Sequence, residues 1–335
     1  MSTLKAHRDG VLRVGLAAVV FACFALTLEG FGTSGNVYSV LESCALIGLV
    51  AAGLGVTMLA GEFDLSVASV AACAGVIAVK SADLGLVPAV ALATAAGAVY
   101  GICQGWAIHR FGISSLVFTL GTFIGVRGLA YLLSGEKTVV LDLSQLPMSQ
   151  TLRERIAVFS PFSITMLVLL ALLWLFLQYT RLGREIYAIG GARRESKAAG
   201  VPQRRGLITA FATSAGLASL AGALGSIRAA SAAPGSYDSL LLAAVTAALI
   251  GGLSLYGGRG SMVGVLIGVL TLQFLISGLS LAGAPFWAAN LATGALLLAA
   301  LVIDLSATGS PVRRQVRQLL MARRQPGNLV AEPSR

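Results

Sequence analysis

Stretches of about twenty mostly apolar residues, the length a helix needs to cross the hydrocarbon core of a bilayer, recur along almost the whole chain. Ten are read, at residues 11–28, 38–60, 65–80, 86–108, 116–134, 162–179, 207–228, 240–255, 261–283 and 286–304. Lipid offers the backbone no hydrogen-bond partners, so only helices or closed barrels cross it, and these runs lack the polar alternation of barrel strands. The expectation is an all-α polytopic membrane protein with about ten transmembrane helices. The short segment at 65–80 and the glycine-broken one near 257 fit either full spans or half-helices. A composition of 56% hydrophobic and 11% charged residues, against roughly 25% charged in soluble domains, excludes a water-soluble globule. It equally excludes intrinsic disorder, which needs low hydrophobicity and high charge.

A net charge of +10 raises the question of nucleic acid, but its distribution answers otherwise. Of 24 Lys and Arg, eighteen fall in five places: three in residues 1–14, Arg110, seven in residues 181–206, Arg259, and six from Arg313 to Arg335. With ten spans all five lie on one side, and the positive-inside rule makes that side the cytoplasm, with both termini there. The opposite connections carry Glu29, Asp83, Glu136, Asp142, Glu154 and Asp238. This divides the chain into an N-terminal segment at 1–10, a membrane domain at 11–305 with a basic loop at 181–206, and a basic tail at 306–335. Lys5, Arg8 and Arg13 ahead of an apolar run resemble a signal peptide in outline. The run is long and no A-x-A site follows, so it is read as the first span.

Catalytic and metal-binding signatures are missing. The lysines Lys5, Lys80, Lys137 and Lys197 never follow a glycine, so no phosphate-binding G-x-x-x-x-G-K-[ST] loop exists and ATP cannot be held by that route. No H-E-x-x-H or G-x-S-x-G occurs. Cys23, Cys44, Cys73 and Cys103 show no C-x-x-C spacing, and His7 and His109 stand apart from acids and thiols, so no metal site is expected. Charges at membrane depth are functional candidates, and here they are Glu42 near a span end, Arg127 within a span, and Asp64 and Arg259 at breaks between spans. Glycine stripes at Gly97/Gly101/Gly105, Gly121/Gly125 and Gly260/Gly264/Gly268 allow close helix contact, consistent with sliding helices or with tight static packing.

Two glycine-broken segments, 61–69 and 251–261, stand in corresponding places of two halves, a pattern that points to internal repeats in transporters. The basic loop adds a short helix expected at 192–199, with Gly200 as its C-terminal cap and Pro202 preventing continuation.

These residues resemble a family. Gly61-Glu62-Phe63-Asp64-Leu65-Ser66-Val67-Ala68-Ser69 resembles the G-G-I-D-L-S-V-G-S motif of permease subunits of ATP-binding-cassette (ABC) importers for ribose, xylose and related monosaccharides. The run Gly183-Arg184-x-Ile186-Tyr187-Ala188-Ile189-Gly190-Gly191 is similar to their loop motif, and Ile250-Gly251-Gly252-x-Ser254-Leu255-x-Gly257-Gly258-Arg259-Gly260-Ser261 to their C-terminal signature. The chain departs at Glu62, Phe63 and Ala68 in the first motif. In the loop, Ala192 stands in place of asparagine and Glu195-Ser196 in place of Ala-Ala.

The resemblance implies a permease of two related halves in a bacterial inner membrane. It would pair with a second permease subunit, receive solute from a periplasmic sugar-binding protein, and bind no cofactor itself. ATP would act through a partner ATPase docked on Gly190, Gly191, Ala192, Arg193, Arg194, Glu195, Ser196, Lys197, Ala198, Ala199 and Gly200. Polar groups on apolar spans, namely Asp64, Ser66, Gln104, Thr119, Thr122, Gln273 and Asn290, fit either solute contacts or helix-to-helix hydrogen bonds. Arg127, Gly257, Gly258 and Arg259 are read as structural or gating positions, with Arg127 expected to pair with an acid such as Glu42 or with a backbone carbonyl. The alternative is a self-contained secondary transporter or channel that depends on Glu42 or Asp64.

Overall fold

The computed structural model describes residues 2–307, and the basic tail from residue 308 onward lies outside the described residues. The described chain is almost entirely helical: α1 (Ser2–Thr27), α2 (Ser34–Leu59), α3 (Val67–Lys80), α4 (Leu86–Phe111), α5 (Ser115–Ser134), α6 (Leu146–Arg153), α7 (Pro161–Tyr179), α8 (Arg181–Gly191), α9 (Arg193–Ala198), α10 (Gln203–Arg228), α11 (Leu240–Ile250), α12 (Met262–Leu281) and α13 (Phe286–Ala307). One two-residue ladder, β1 (Val139–Val140) with β2 (Ser231–Ala232), ties two loops together at the end of the bundle opposite residues 181–206.

Eight of these helices are long and apolar enough to cross a membrane. The other two apolar segments are half-length. α3 has 14 residues and α11 has 11, which at about 1.5 Å per residue gives roughly 21 Å and 17 Å, short of a hydrocarbon core of about 30 Å. The interruptions in the two halves also run in opposite order. In the first, long α2 precedes the break and short α3 follows; in the second, short α11 precedes it and long α12 follows.

Starts and stops follow local chemistry. Thr33 and Ser261 accept the third backbone N–H of α2 and α12, at 3.4 and 3.1 Å, and Ser160 with Pro161 opens α7 through a capping box. α10 sits in the middle, packed by α2, α3 and α4. The Gly97/Gly101/Gly105 stripe explains the tightest of these contacts: a Cβ on Gly101 would lie 2.4 Å from the Phe211 carbonyl oxygen, and one on Gly105 would lie 2.9 Å from Ile208 Cα. Backbone therefore lies on backbone along this stripe. Gly268 seats α12 on α11 in the same way, since a Cβ there would lie 2.0 Å from the Ala247 oxygen. The Gly121/Gly125 stripe on α5 differs, having nothing within 4 Å of either position.

Candidate functional site

The basic loop folds into two helices. Thr180 accepts the Gly183 N–H at 3.1 Å and starts α8, which buries Gly183, Ile186 and Ile189 at helical spacing. Ala192, at φ −157° and ψ 76° and so outside the helical region, breaks the run, and α9 follows with every residue exposed except Ser196. The expected C-terminal cap is present, with Gly200 at φ +79° and the Val201 N–H donating to the Ser196 carbonyl at 2.9 Å. Ser196 is held from behind by Gln203 Nε2 at 3.1 Å. The expected helix thus begins at Arg193 with Ala192 as its cap, whereas α8 went unread. Its signal was the threonine three residues ahead of Gly183 and the Ile186/Ile189 spacing.

Three glycine motifs that are far apart in sequence meet at the root of α9. A Cβ on Gly190 would lie 1.9 Å from the Leu59 oxygen, one on Gly257 would lie 2.7 Å from Gly61 Cα, and one on Gly258 would lie 2.4 Å from Gly191 Cα. The Gly258 N–H donates to the Leu59 carbonyl at 2.9 Å, and Tyr187 donates its hydroxyl to the Gly260 carbonyl at 2.9 Å. Burial pushes the Tyr187 phenol up from its ordinary range, which keeps it a donor. Glu62, almost fully buried, forms an ion pair with Arg193 of α9. Asp304 accepts from Ser254 Oγ and the Leu255 N–H at 3.2 and 3.1 Å, pinning the loop that carries Gly257, Gly258 and the exposed Arg259. Gly190 is thus a packing joint, while Arg193, Arg194, Glu195, Lys197, Ala198 and Ala199 form the free surface.

Asp64, Ser66, Gln104 and Thr119 come together just inside the bundle. Asp64 is fully buried. Its Oδ1 accepts from the Ser66 N–H at 3.0 Å, Ser66 Oγ at 2.6 Å and Gln104 Nε2 at 3.2 Å, and its Oδ2 accepts from Ser214 Oγ at 2.9 Å. Thr119 Oγ1 accepts the Leu65 N–H at 3.1 Å, and Ser115 Oγ accepts that of Phe63 at 3.2 Å. The group fastens the 60–66 break to α4, α5 and α10, satisfying backbone donors that no helix supplies. Thr122 donates within its own helix to the Thr119 carbonyl. Gln273, buried in α12, and Asn290, exposed on α13, stand apart from this cluster.

At the opposite end, Arg127 pairs with Asp238 at 2.7 Å, both partly exposed. The acid expected for it, Glu42, is engaged elsewhere, by the Arg228 guanidinium and Ser160 Oγ. Arg228 is the last residue of α10 and closes the 207–228 segment, yet it is absent from the membrane charges singled out in the sequence.

A family model described as the permease component of branched-chain amino acid transport systems matches residues 36–301. The L-arabinose ABC transporter permease protein AraH of Azospirillum brasilense is 33% identical over 277 residues, 79% of this chain and 78% of that protein. The ribose import permease protein RbsC of Escherichia coli K12 is 31% identical over 266 residues, 78% of this chain and 83% of that protein. The fructose import permease protein FrcC of Rhizobium meliloti is 32% identical over 287 residues, 80% of this chain and 79% of that protein. No solved structure matches the chain.

Proposed function

Since the chain belongs to the transport-permease family of this model and of the ABC sugar permeases that resemble it, we propose that it forms the pathway for a monosaccharide and takes its energy from a separate cytoplasmic ATPase. The observation that carries the reading is the exposed α9, rooted in the glycine joint where 61–66, 186–191 and 251–261 meet. A partner that moves α9 would move the ends of α2, α3, α11 and α12 with it. The sugar class comes from the relatives, whose names specify arabinose, ribose and fructose import.

The remaining parts follow from the same reading. The basic loop and both termini lie in the cytoplasm of a bacterial inner membrane, by the positive-inside rule. A periplasmic binding protein delivers sugar to the opposite face. A second permease subunit packs on α5, whose open Gly121/Gly125 face and partly exposed Arg127–Asp238 pair would be poorly suited to lipid. ATP acts only through the partner, and neither metal nor nucleic acid takes part. A self-contained transporter coupled through Glu42 or Asp64 is less well supported, because both carboxylates are already engaged by internal partners.

Reconstitution into liposomes tests this. The chain alone is expected to turn over no ATP and to move no ribose, arabinose or fructose, and uptake is expected once a cognate ATPase and binding protein are added. Sugar uptake by the chain alone would overturn the reading.

A further inference from the structure

A cavity of about 500 Å³ opens at the end of the bundle away from the basic loop, lined by residues that include Tyr38, Glu42, Ser43, Phe162, Arg228 and Tyr237. Its size falls within the roughly 300–1,000 Å³ of small-molecule sites. Its wall holds an ion pair within one chain. Glu42 has a side chain only 4% exposed and is fixed from behind by buried Ser160, while Arg228 is 30% exposed. A guanidinium carries five N–H donors. That of Arg228 meets Glu42 through Nε, and its Nη atoms have no partner among the described residues. The Ser43 hydroxyl is likewise exposed and without a partner among them. The hydroxyls of Tyr38 and Tyr237 are turned to protein groups, Arg153 O and Ser226 Oγ, which leaves their rings, with Phe162, as the apolar part of the wall.

We infer that this cavity is a binding subsite for a neutral sugar-sized polyol, contained in a single subunit and separate from any pathway between two subunits. Free guanidinium donors and a free hydroxyl match a ring that carries adjacent hydroxyls, with Glu42 holding the guanidinium in place from behind, while the aromatic faces match its C–H surface. A negatively charged ligand fits less well, because Glu42 lies in the same wall. The choice of sugar rests on the proposed function, under which this end faces the periplasm and receives solute first. Binding there must be weak, since a pathway that holds its cargo tightly does not release it.

Saturation-transfer NMR on the purified full-length chain in nanodiscs, with D-ribose, L-arabinose and D-fructose as probes, tests the inference. At least one sugar is expected to give a signal with the natural chain. Arg228→Gln is expected to reduce that signal about tenfold. Because Arg228→Gln leaves Glu42 without its counter-charge and so puts folding at risk, Ser43→Trp provides a second variant, which fills the cavity from an exposed position and leaves the ion pair intact. It is expected to abolish the signal in protein that remains monodisperse. Equal signals from the natural chain and Ser43→Trp, or no signal from any of the three sugars, would overturn the inference. Either result would leave the permease reading standing if the chain still copurifies with its ATPase.

Discussion

At the loop end, the segments around Gly61, Gly190 and Gly257 lie backbone against backbone, with no room for a methyl group. At the opposite end the helices are joined by side chains instead: Glu42 with Arg228 and Ser160, Arg127 with Asp238, and Tyr237 with Ser226 at 3.0 Å. The two kinds of contact respond differently to force. Close-packed backbone cannot shift by a fraction of a contact without moving whole segments, so it transmits displacement. Side-chain pairs, some half-exposed, each contribute on the order of 1 kcal/mol and can exchange partners. The end that carries the proposed docking helix is therefore built to transmit motion, and the opposite end, which under the proposed function receives solute, is built to open.

The largest expected effect breaks the rigid half of this comparison. Gly190→Val places atoms where Leu59 O already stands and is expected to cost about 3 kcal/mol or more, lowering the thermal unfolding midpoint in detergent. Glu42→Gln comes next. It leaves Arg228 without its counter-charge, and with Arg228 at 30% exposure a loss of about 1–3 kcal/mol is expected by the same measurement, below the roughly 3–5 of a fully buried pair.

Glu62→Gln is expected to cost about 1 kcal/mol or less, because Arg193 is 50% exposed. Its mark is local: faster amide exchange across 193–198, with the bundle unchanged. The smallest effect is expected on the open face of α5. Gly125→Ala meets nothing within 4 Å and should leave the isolated chain as stable or slightly more so, since alanine favours helix by up to about 1 kcal/mol. A clear loss of stability there would show that α5 is packed within the subunit.

Much of this was legible in the residues themselves. Apolar length located every membrane helix, and the Gly200-x-Pro202 signal located the end of α9, because caps and breakers act locally. What stayed hidden depends on tertiary contact. For 65–80 and the glycine-broken segment near 257 the sequence fits either a full span or a half-helix, and only the packed structure decides for half-length α3 and α11. Arg127 does pair with an acid, but which acid is hidden from the sequence, because Asp238 lies 111 residues away in a loop and Glu42 is held by Arg228. In the candidate site, Asp64, Ser66, Gln104 and Thr119 stand out in the sequence as polar groups on apolar spans, and the structure puts them into helix-to-helix bonding. Glu62, noted as a departure from the family motif, gains a meaning through Arg193 that no single motif could convey.

The most direct test of the central claim replaces residues 192–200 with a glycine-serine linker of equal length and asks whether the cognate ATPase still copurifies. The expected result is loss of the ATPase while helical content and monodispersity of the membrane subunit stay as in the natural chain. Retention of the ATPase at the natural stoichiometry would contradict the account.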